Sequence, residues 1–105
     1  MVAPKKIYAD DKMRYKLMIT QLDLYENNKL SLLDLIDGLE SLLYALEEND
    51  KYWKVEFIRN WSVLEIAYAS VESFGRKDLL EQDKIEIKKA IKNLRVLVES
   101  KVMPS

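Results

Sequence analysis

Apolar residues recur every three or four positions along most of this chain, which is the spacing of one face of an α-helix. Between Pro4 and Pro104 there is no proline to break a helix. The pattern predicts four amphipathic helices, which run from Asp10 or Asp11 to about Glu26 and then over residues 31–48, 51–74 and 83–100. We therefore predict an all-α fold, a compact bundle of about four helices packed either antiparallel or orthogonally.

Local signals at the predicted helix ends support this division. Asn27-Asn28 supplies a turn after the first helix, and Ser31 can cap the start of the second. Asp50 can cap the start of the third helix. Gly75 fits the left-handed backbone position that often follows a helix end.

Two of the predicted helices carry apolar residues on more than one side. The first helix has a main face of Tyr15, Met18, Ile19, Leu22 and Tyr25, and an opposite stripe of Met13, Leu17 and Leu24. The third helix has an aromatic face and three apolar residues outside it, Val55, Ile58 and Ile66. Such a helix is either enclosed in the core or offers one side to a partner. For the third helix we predict a central position.

The chain of 105 residues is predicted to form one domain. Residues 1–9 are predicted to be a flexible segment, 10–100 the single helical domain and 101–105 a tail. The amino terminus has basic residues but no apolar run behind them, so no secretory signal is predicted. Charges interrupt every apolar segment before it is long enough to cross a bilayer. We expect a cytoplasmic protein with no membrane partner.

The composition argues against catalysis. The chain contains no cysteine and no histidine, so disulfides and thiolate metal sites are excluded and the commonest general base is missing. The serines of the third helix have no activating base or motif around them, and the two glycines are too isolated to form a phosphate-binding loop. We predict that the protein is not an enzyme and has no catalytic residue, metal site or cofactor.

Acidic residues are concentrated in the middle of the chain. The net charge is −1, but residues 21–50 hold eight carboxylates and one lysine between two flanks that are each basic. Such a surface on the second helix would attract a basic protein; the alternative is an ordinary solvated face. The predicted partner-binding residues, with Tyr44 as an anchor, are Asp34, Asp37, Tyr44, Glu47, Glu48 and Asp50.

The fourth helix shows the opposite charge pattern, in Lys84, Lys88, Lys92 and Arg95. Lysine-rich faces can bind phosphates. No aromatic residues are interleaved with this stripe, however, and the chain as a whole is slightly acidic. Solvation, or pairing with acids elsewhere in the bundle, is the favoured interpretation, and no nucleic-acid partner is predicted.

Several segments together span nearly the whole predicted domain, about residues 14–98. They are YKLMITQLDLYENNKL at 15–30, LIDGLE at 35–40 and ALEE at 45–48, followed by Trp53, Phe57, Trp61, Leu64-Glu65 and Tyr68-Ala69. This set resembles a family of small all-helical bacterial proteins that neutralise toxins, including immunity proteins of contact-dependent growth inhibition systems. The resemblance implies a cytoplasmic antitoxin that binds the carboxy-terminal toxin domain of an incoming effector, often a nuclease with a basic groove.

A structural or adaptor module without a toxin partner is the alternative. It includes a homodimer formed through the second apolar stripe of the first helix, at Met13, Leu17 and Leu24. For the toxin-binding chain a monomer is predicted. Sedimentation at several concentrations decides the dimer question, since a strict monomer removes the homodimer.

Overall fold

In the computed structural model, the backbone is described for residues 3–102 and the side chains for residues 11–102. The chain forms four helices, with no strand between residues 3 and 102. They are α1 (Ala3–Glu26), α2 (Leu32–Ala45), α3 (Lys51–Ser73) and α4 (Glu81–Val102). The predicted all-α class and the predicted number of helices are confirmed.

The helices form a closed ring in which each packs on two neighbours, in the order α1, α2, α3, α4. Along the contact between α3 and α4 the sequence numbers run in opposite directions, because Trp53 and Asn60 meet Leu97 and Asn93, respectively. The same reversal joins α1 to α2, so both pairs are antiparallel. In this ring α2 lies diagonally opposite α4.

Aromatic residues of α3 tie the core together. Phe57 is fully buried and lies 5.3 Å from Trp53, measured between ring centroids. Trp53 makes an edge contact with Tyr15 across the bundle, and its Nε1 donates a hydrogen bond of 2.8 Å to the carbonyl of Leu97. The core therefore satisfies the polar atom of Trp53 while burying its ring.

Helix α1 begins earlier than the sequence indicated. The predicted start at Asp10 or Asp11 is wrong, since the helix begins at Ala3. Asp11 is not a cap of α1. It is buried, pairs with Arg14 at 3.0 Å and accepts a hydrogen bond from the backbone N–H of Glu47 at 2.9 Å. Helix α4 is also longer than predicted, by two residues at each end.

These bounds also affect the predicted domain limits. The flexible segment predicted for residues 1–9 includes backbone that lies in α1 from Ala3 onward, and the tail predicted for 101–105 begins within the last turn of α4. Residues 1–2 and 103–105 lie outside the described part of the chain. The flexibility predicted for the amino-terminal segment stays a prediction.

Helix α2 ends three residues earlier than predicted. Leu46 leaves the helix with an extended backbone, φ −65° and ψ 137°, and its side chain is buried. Burying Leu46 in this conformation turns the chain toward α3. As a consequence Glu47, Glu48 and Asp50 lie in the connecting segment and not on α2.

The predicted caps are confirmed. The Ser31 side chain accepts a hydrogen bond from the backbone N–H of Asp34, and the Asp50 side chain accepts one from Trp53. Gly75 follows α3 with a φ of 62°, and Asn28 follows α1 with a φ of 59°. Both positions close the paired hydrogen bonds of a Schellman motif, which satisfies the last carbonyls of each helix.

The predicted central position of α3 is wrong. Val55, Ile58 and Ile66 are all exposed, because α3 packs only on α2 and α4 and its remaining side faces outward. The second stripe of α1 is similarly placed, with Met13 and Leu17 exposed and Leu24 half-buried. Two apolar helix sides are therefore left uncovered by the described residues.

Gly38 lies inside α2, where glycine costs roughly 1 kcal/mol relative to alanine, and the sequence alone predicts close approach of another backbone. The structure places a side chain there instead. A Cβ at position 38 would lie 2.9 Å from Cδ of Gln21 on α1. The Oε1 of Gln21 is buried and has no hydrogen-bond partner among the described residues. The small volume of Gly38 accommodates Gln21.

Gly38→Ala is expected to change the free energy of unfolding little in the wild-type background, because the gain in helix propensity is offset by displacement of Gln21. In a Gln21→Ala background the same substitution should stabilise the fold by about 1 kcal/mol. Urea denaturation of the four proteins measures this difference. Equal stabilisation in both backgrounds would show that Gln21 does not limit the space at position 38.

Candidate partner-binding surface

The outward side of α2 carries unpaired negative charge. Asp34, Asp37 and Tyr44 recur at helical spacing on the side opposite the buried leucines, and all three are exposed, Tyr44 by 80%. Within the described residues neither carboxylate makes a salt bridge. We call Asp34, Asp37 and Tyr44 the α2 acidic face.

Glu47 extends this charge beyond the end of α2. Its backbone N–H donates a hydrogen bond of 2.9 Å to the Asp11 carboxylate, which holds the backbone in place. The Glu47 side chain itself is exposed. Among residues 11–102 the Glu47 carboxylate makes no ion pair. Glu47 is therefore an exposed acid, as predicted, although it lies on the segment that connects α2 to α3 and not on α2.

Glu48 and Asp50 differ from the other predicted acids because they share a cation of the same chain. The Nζ of Lys101 lies 2.6 Å from Oε1 of Glu48 and 3.4 Å from Oδ2 of Asp50, and it also lies over the ring of Trp53 at 5.6 Å. Lys101 thus joins the last turn of α4 to the connection between α2 and α3. One lysine supplies a single positive charge for two carboxylates, so the cluster keeps a net negative charge, and the partner-binding role of Glu48 and Asp50 stays a prediction.

The pKa values in this cluster reflect its hydrogen bonds. The backbone N–H of Trp53 lowers the pKa of Asp50 below its usual value; burial opposes this, and Lys101 adds to it. Burial by itself lowers the pKa of Lys101, but the hydrogen bonds and negative charges of Glu48 and Asp50 together outweigh burial, and the net pKa is raised. Both ionised forms are therefore favoured in the folded state.

Asp50→Asn is expected to make folding stability less dependent on acid pH. Because the folded pKa of Asp50 is lower than its unfolded value of about 3.9, its carboxylate stabilises the fold above that pH and loses this effect as pH falls through the folded pKa. Asparagine still caps a helix, so the variant removes the charge and keeps the cap. Chemical denaturation between about pH 6 and pH 2 should show that the free energies of unfolding of wild type and Asp50→Asn become more alike as the pH falls.

The matched control for this test is Asp37→Asn, which removes an exposed carboxylate that has no ion pair among the described residues. Its stability should follow the wild-type pH dependence. A constant difference between wild type and Asp50→Asn across the whole range would show that the Asp50 carboxylate is not stabilised by folding.

Two acids at the end of α1 also share one internal cation. Arg95 of α4 pairs with Asp23 at 2.7 Å and with Glu26. Burial alone lowers the pKa of Arg95, but the bonds to Glu26 and Asp23 outweigh it and raise the pKa. The carboxylates of residues 21–50 therefore fall into two groups, those with an internal ion pair and those without one. The carboxylates that keep no internal cation among the described residues are Asp34, Asp37, Glu40 and Glu47.

The predicted basic stripe of α4 likewise contains residues with an ion pair inside the bundle and residues that are exposed. Lys84 lies near Asp78 and Glu81, and Arg95 is held by the acids of α1, so the predicted pairing within the bundle is confirmed for these two residues. The exposed residues Lys88, Lys89 and Lys92 line a surface cleft of about 480 Å³ together with Ile85. The absence of a nucleic-acid partner stays a prediction.

Sequence reasoning missed the two residues that organise this end of the bundle, Asp11 and Lys101. Asp11 was assigned to the start of α1, and Lys101 to the tail. Their charge was no signal, because charged residues normally flank the apolar positions of an amphipathic helix. Nothing in a local pattern identifies Glu47, Glu48 or Asp50 as their partners, because those lie 36 to 53 residues away.

A comparison with protein-family models, curated proteins and solved structures gives no match. Residues 11–102 contain no group of three or more His, Cys, Asp or Glu side chains placed to hold a metal ion. In the described part of the chain, no helix combines the length and the apolar character needed to cross a membrane.

Proposed function

We propose that this protein is an immunity protein that binds and neutralises a cognate toxin domain by covering a basic surface. The observation that carries the proposal is the uneven pairing of its acids with internal cations. Asp23, Glu26, Glu48 and Asp50 are paired with internal cations, whereas Asp34, Asp37 and Glu47 are exposed and unpaired among the described residues. The resemblance to toxin-neutralising proteins supports the same role.

The unpaired charge has only a partial structural explanation. Asp34 lies in the first turn of α2, where a carboxylate stabilises the positive end of the helix dipole. Asp37 lies one turn further on and repels Asp34, and no lysine of α2 relieves this repulsion. Glu47 is outside any helix. A basic partner would supply the counter-charge that the bundle itself does not place here.

Tyr44 supplies the anchor that a charged surface alone lacks. Charge steers association, but buried aromatic residues contribute much of the energy in protein interfaces. Tyr44 is 80% exposed beside Asp37 and Ser41, so its ring can be buried only by another molecule. A partner with a basic groove and an apolar recess would match both features. The substrate groove of a nuclease has this character.

Covering such a groove would inhibit a nuclease without any chemistry by the immunity protein. The acids would occupy the positions of substrate phosphates, and the rigid bundle would exclude the substrate. Such a protein would act in the cytoplasm of the cell that also encodes the toxin. We propose no cofactor and no nucleic-acid partner.

Co-expression with a candidate toxin domain, sought in the reading frame next to this gene, tests the proposal. We expect growth to be restored by the wild-type chain, the two proteins to co-purify, and their association rate to fall as salt is raised. The Tyr44→Ala variant should dissociate faster by roughly thirtyfold or more, since an anchoring aromatic contributes about 2 kcal/mol or more. Normal toxicity in the presence of the folded wild-type protein would overturn the proposal.

A further inference from the structure

The outward side of α3 carries an apolar stripe that no described element covers. Its β-branched residues Val55, Ile58 and Ile66 are 55%, 45% and 65% exposed. Between and after them lie the small residues Ser62 and Ala69. These five positions share one side of the helix at helical spacing, and we call them the α3 outer stripe.

Solvent exposure does not explain this choice of residues. Valine and isoleucine are poorer helix formers than leucine or methionine, because their branched side chains lose rotamer freedom against the preceding turn. On an exposed helix side they cost helix propensity and gain no burial. The exposed Met13 and Leu17 of α1 are good helix formers and carry no such cost. By this criterion the α3 outer stripe needs a partner more than the exposed side of α1 does.

The spacing of the stripe is symmetric about Ser62. Ile58 and Ile66 lie four residues to either side of it, and Val55 and Ala69 lie seven residues to either side. When two such helices pair antiparallel about a two-fold axis at Ser62, each apolar residue meets an apolar residue of the other copy. A small residue at the axis lets the two backbones approach closely.

The charges of α3 favour the same arrangement. Lys51 and Lys54 lie near its amino-terminal end, and Glu65 and Glu72 lie toward its carboxy-terminal end. Antiparallel pairing places the basic end of one copy beside the acidic end of the other, whereas parallel pairing places like charges together. Lys54 and Glu72 are 18 residues apart, about five helical turns, so both lie on the same flank of the stripe and face each other across the two-fold axis.

We propose that the α3 outer stripe binds a second copy of this chain in an isologous, antiparallel α3–α3 contact. The proposal is independent of the toxin-binding role, because the α2 acidic face lies on another helix and contributes no residue to the stripe. With one helix contributed by each copy, we expect an interface at or below the lower end of the standard size, roughly 1,200 Å². The dimer is therefore weak, with a dissociation constant on the order of 100 µM.

Sedimentation equilibrium of the full chain between about 10 µM and 1 mM tests this contact. We expect wild type to pass from monomer to dimer over this range. Ile58→Lys with Ile66→Lys should leave a monomer throughout, since two charges would be buried against two others at the contact. The matched control is Met13→Lys with Leu17→Lys, which alters the exposed side of α1 and should dimerise as wild type does. Circular dichroism verifies that both double variants are folded.

A charge exchange tests the orientation. Lys54→Glu should weaken the dimer roughly tenfold by placing two carboxylates together. Adding Glu72→Lys should restore it, because the pair is then complementary again. A wild-type chain that stays monomeric at 1 mM would overturn the proposal. A dimer lost only in the Met13→Lys/Leu17→Lys variant would overturn it too and would assign the contact to α1.

Discussion

Reversing the charge of Asp34, Asp37 and Glu47 together to lysine is expected to slow association with a basic toxin domain by roughly tenfold or more. These three carboxylates are exposed and have no ion pair among the described residues, so their field reaches a partner before contact. Glu48 is left unchanged because it is paired with Lys101. Stopped-flow measurements at several salt concentrations give the rate. The difference from wild type should narrow as salt shortens the screening length from about 10 Å at 0.1 M to 3 Å at 1 M.

A variant with the same change in net charge separates local steering from a global effect. Glu56→Lys, Asp78→Lys and Glu81→Lys alter three exposed acids that lie outside α2 and its connection to α3. This variant should associate at nearly the wild-type rate. Equal slowing in both triple variants would mean that only total charge matters, and an unchanged rate in the first would remove the α2 acidic face from the interface.

Phe57→Ala is expected to destabilise the domain by about 3–5 kcal/mol. The ring is fully buried on the core side of α3 and packs against Trp53, so its removal leaves a cavity that the antiparallel helices cannot readily close. Domains of this size are stable by about 5–15 kcal/mol in total. Urea denaturation followed by circular dichroism measures the loss, and a large fraction of the variant should be unfolded well below the wild-type midpoint.

Tyr52→Ala is the matched control, since it removes an aromatic ring from the same helix at a position that is 89% exposed. Its effect should be within about 0.5 kcal/mol of zero. A small effect of Phe57→Ala would contradict the packing of the core around α3. A large effect of Tyr52→Ala would show that residues near the start of α3 are buried by a contact absent from this description.

The fold was accessible from sequence because its determinants are local. Helical spacing identified the buried leucines of α2, and Ser31, Asp50 and Gly75 marked helix ends through hydrogen bonds or backbone angles that involve near neighbours. The end of α2 was misplaced because Leu46 fits both a helix and a buried extended residue. Tertiary packing, and not propensity, decides between those two conformations.

The candidate surface could be predicted from the sequence only in part, because some of its determinants are contacts between residues far apart in the chain. Asp34, Asp37 and Tyr44 were placed correctly on the outside of α2 by periodicity. Whether Glu48 and Asp50 have an ion-pair partner depends on Lys101, which lies more than fifty residues further along the chain. The position of Asp11 depends on Glu47. Counting charges along a sequence cannot distinguish an acid that is matched across the bundle from one that is free.

The diagonal placement of α2 and α4 gives a nearly neutral protein a large electric dipole moment. Unmatched carboxylates lie on one side of the bundle, and Lys88, Lys89 and Lys92 lie on the opposite side. In the field of a cationic surface such a molecule experiences a torque, which turns α2 toward that surface and α4 away from it. Orientation can therefore precede collision, even though the total charge is only −1.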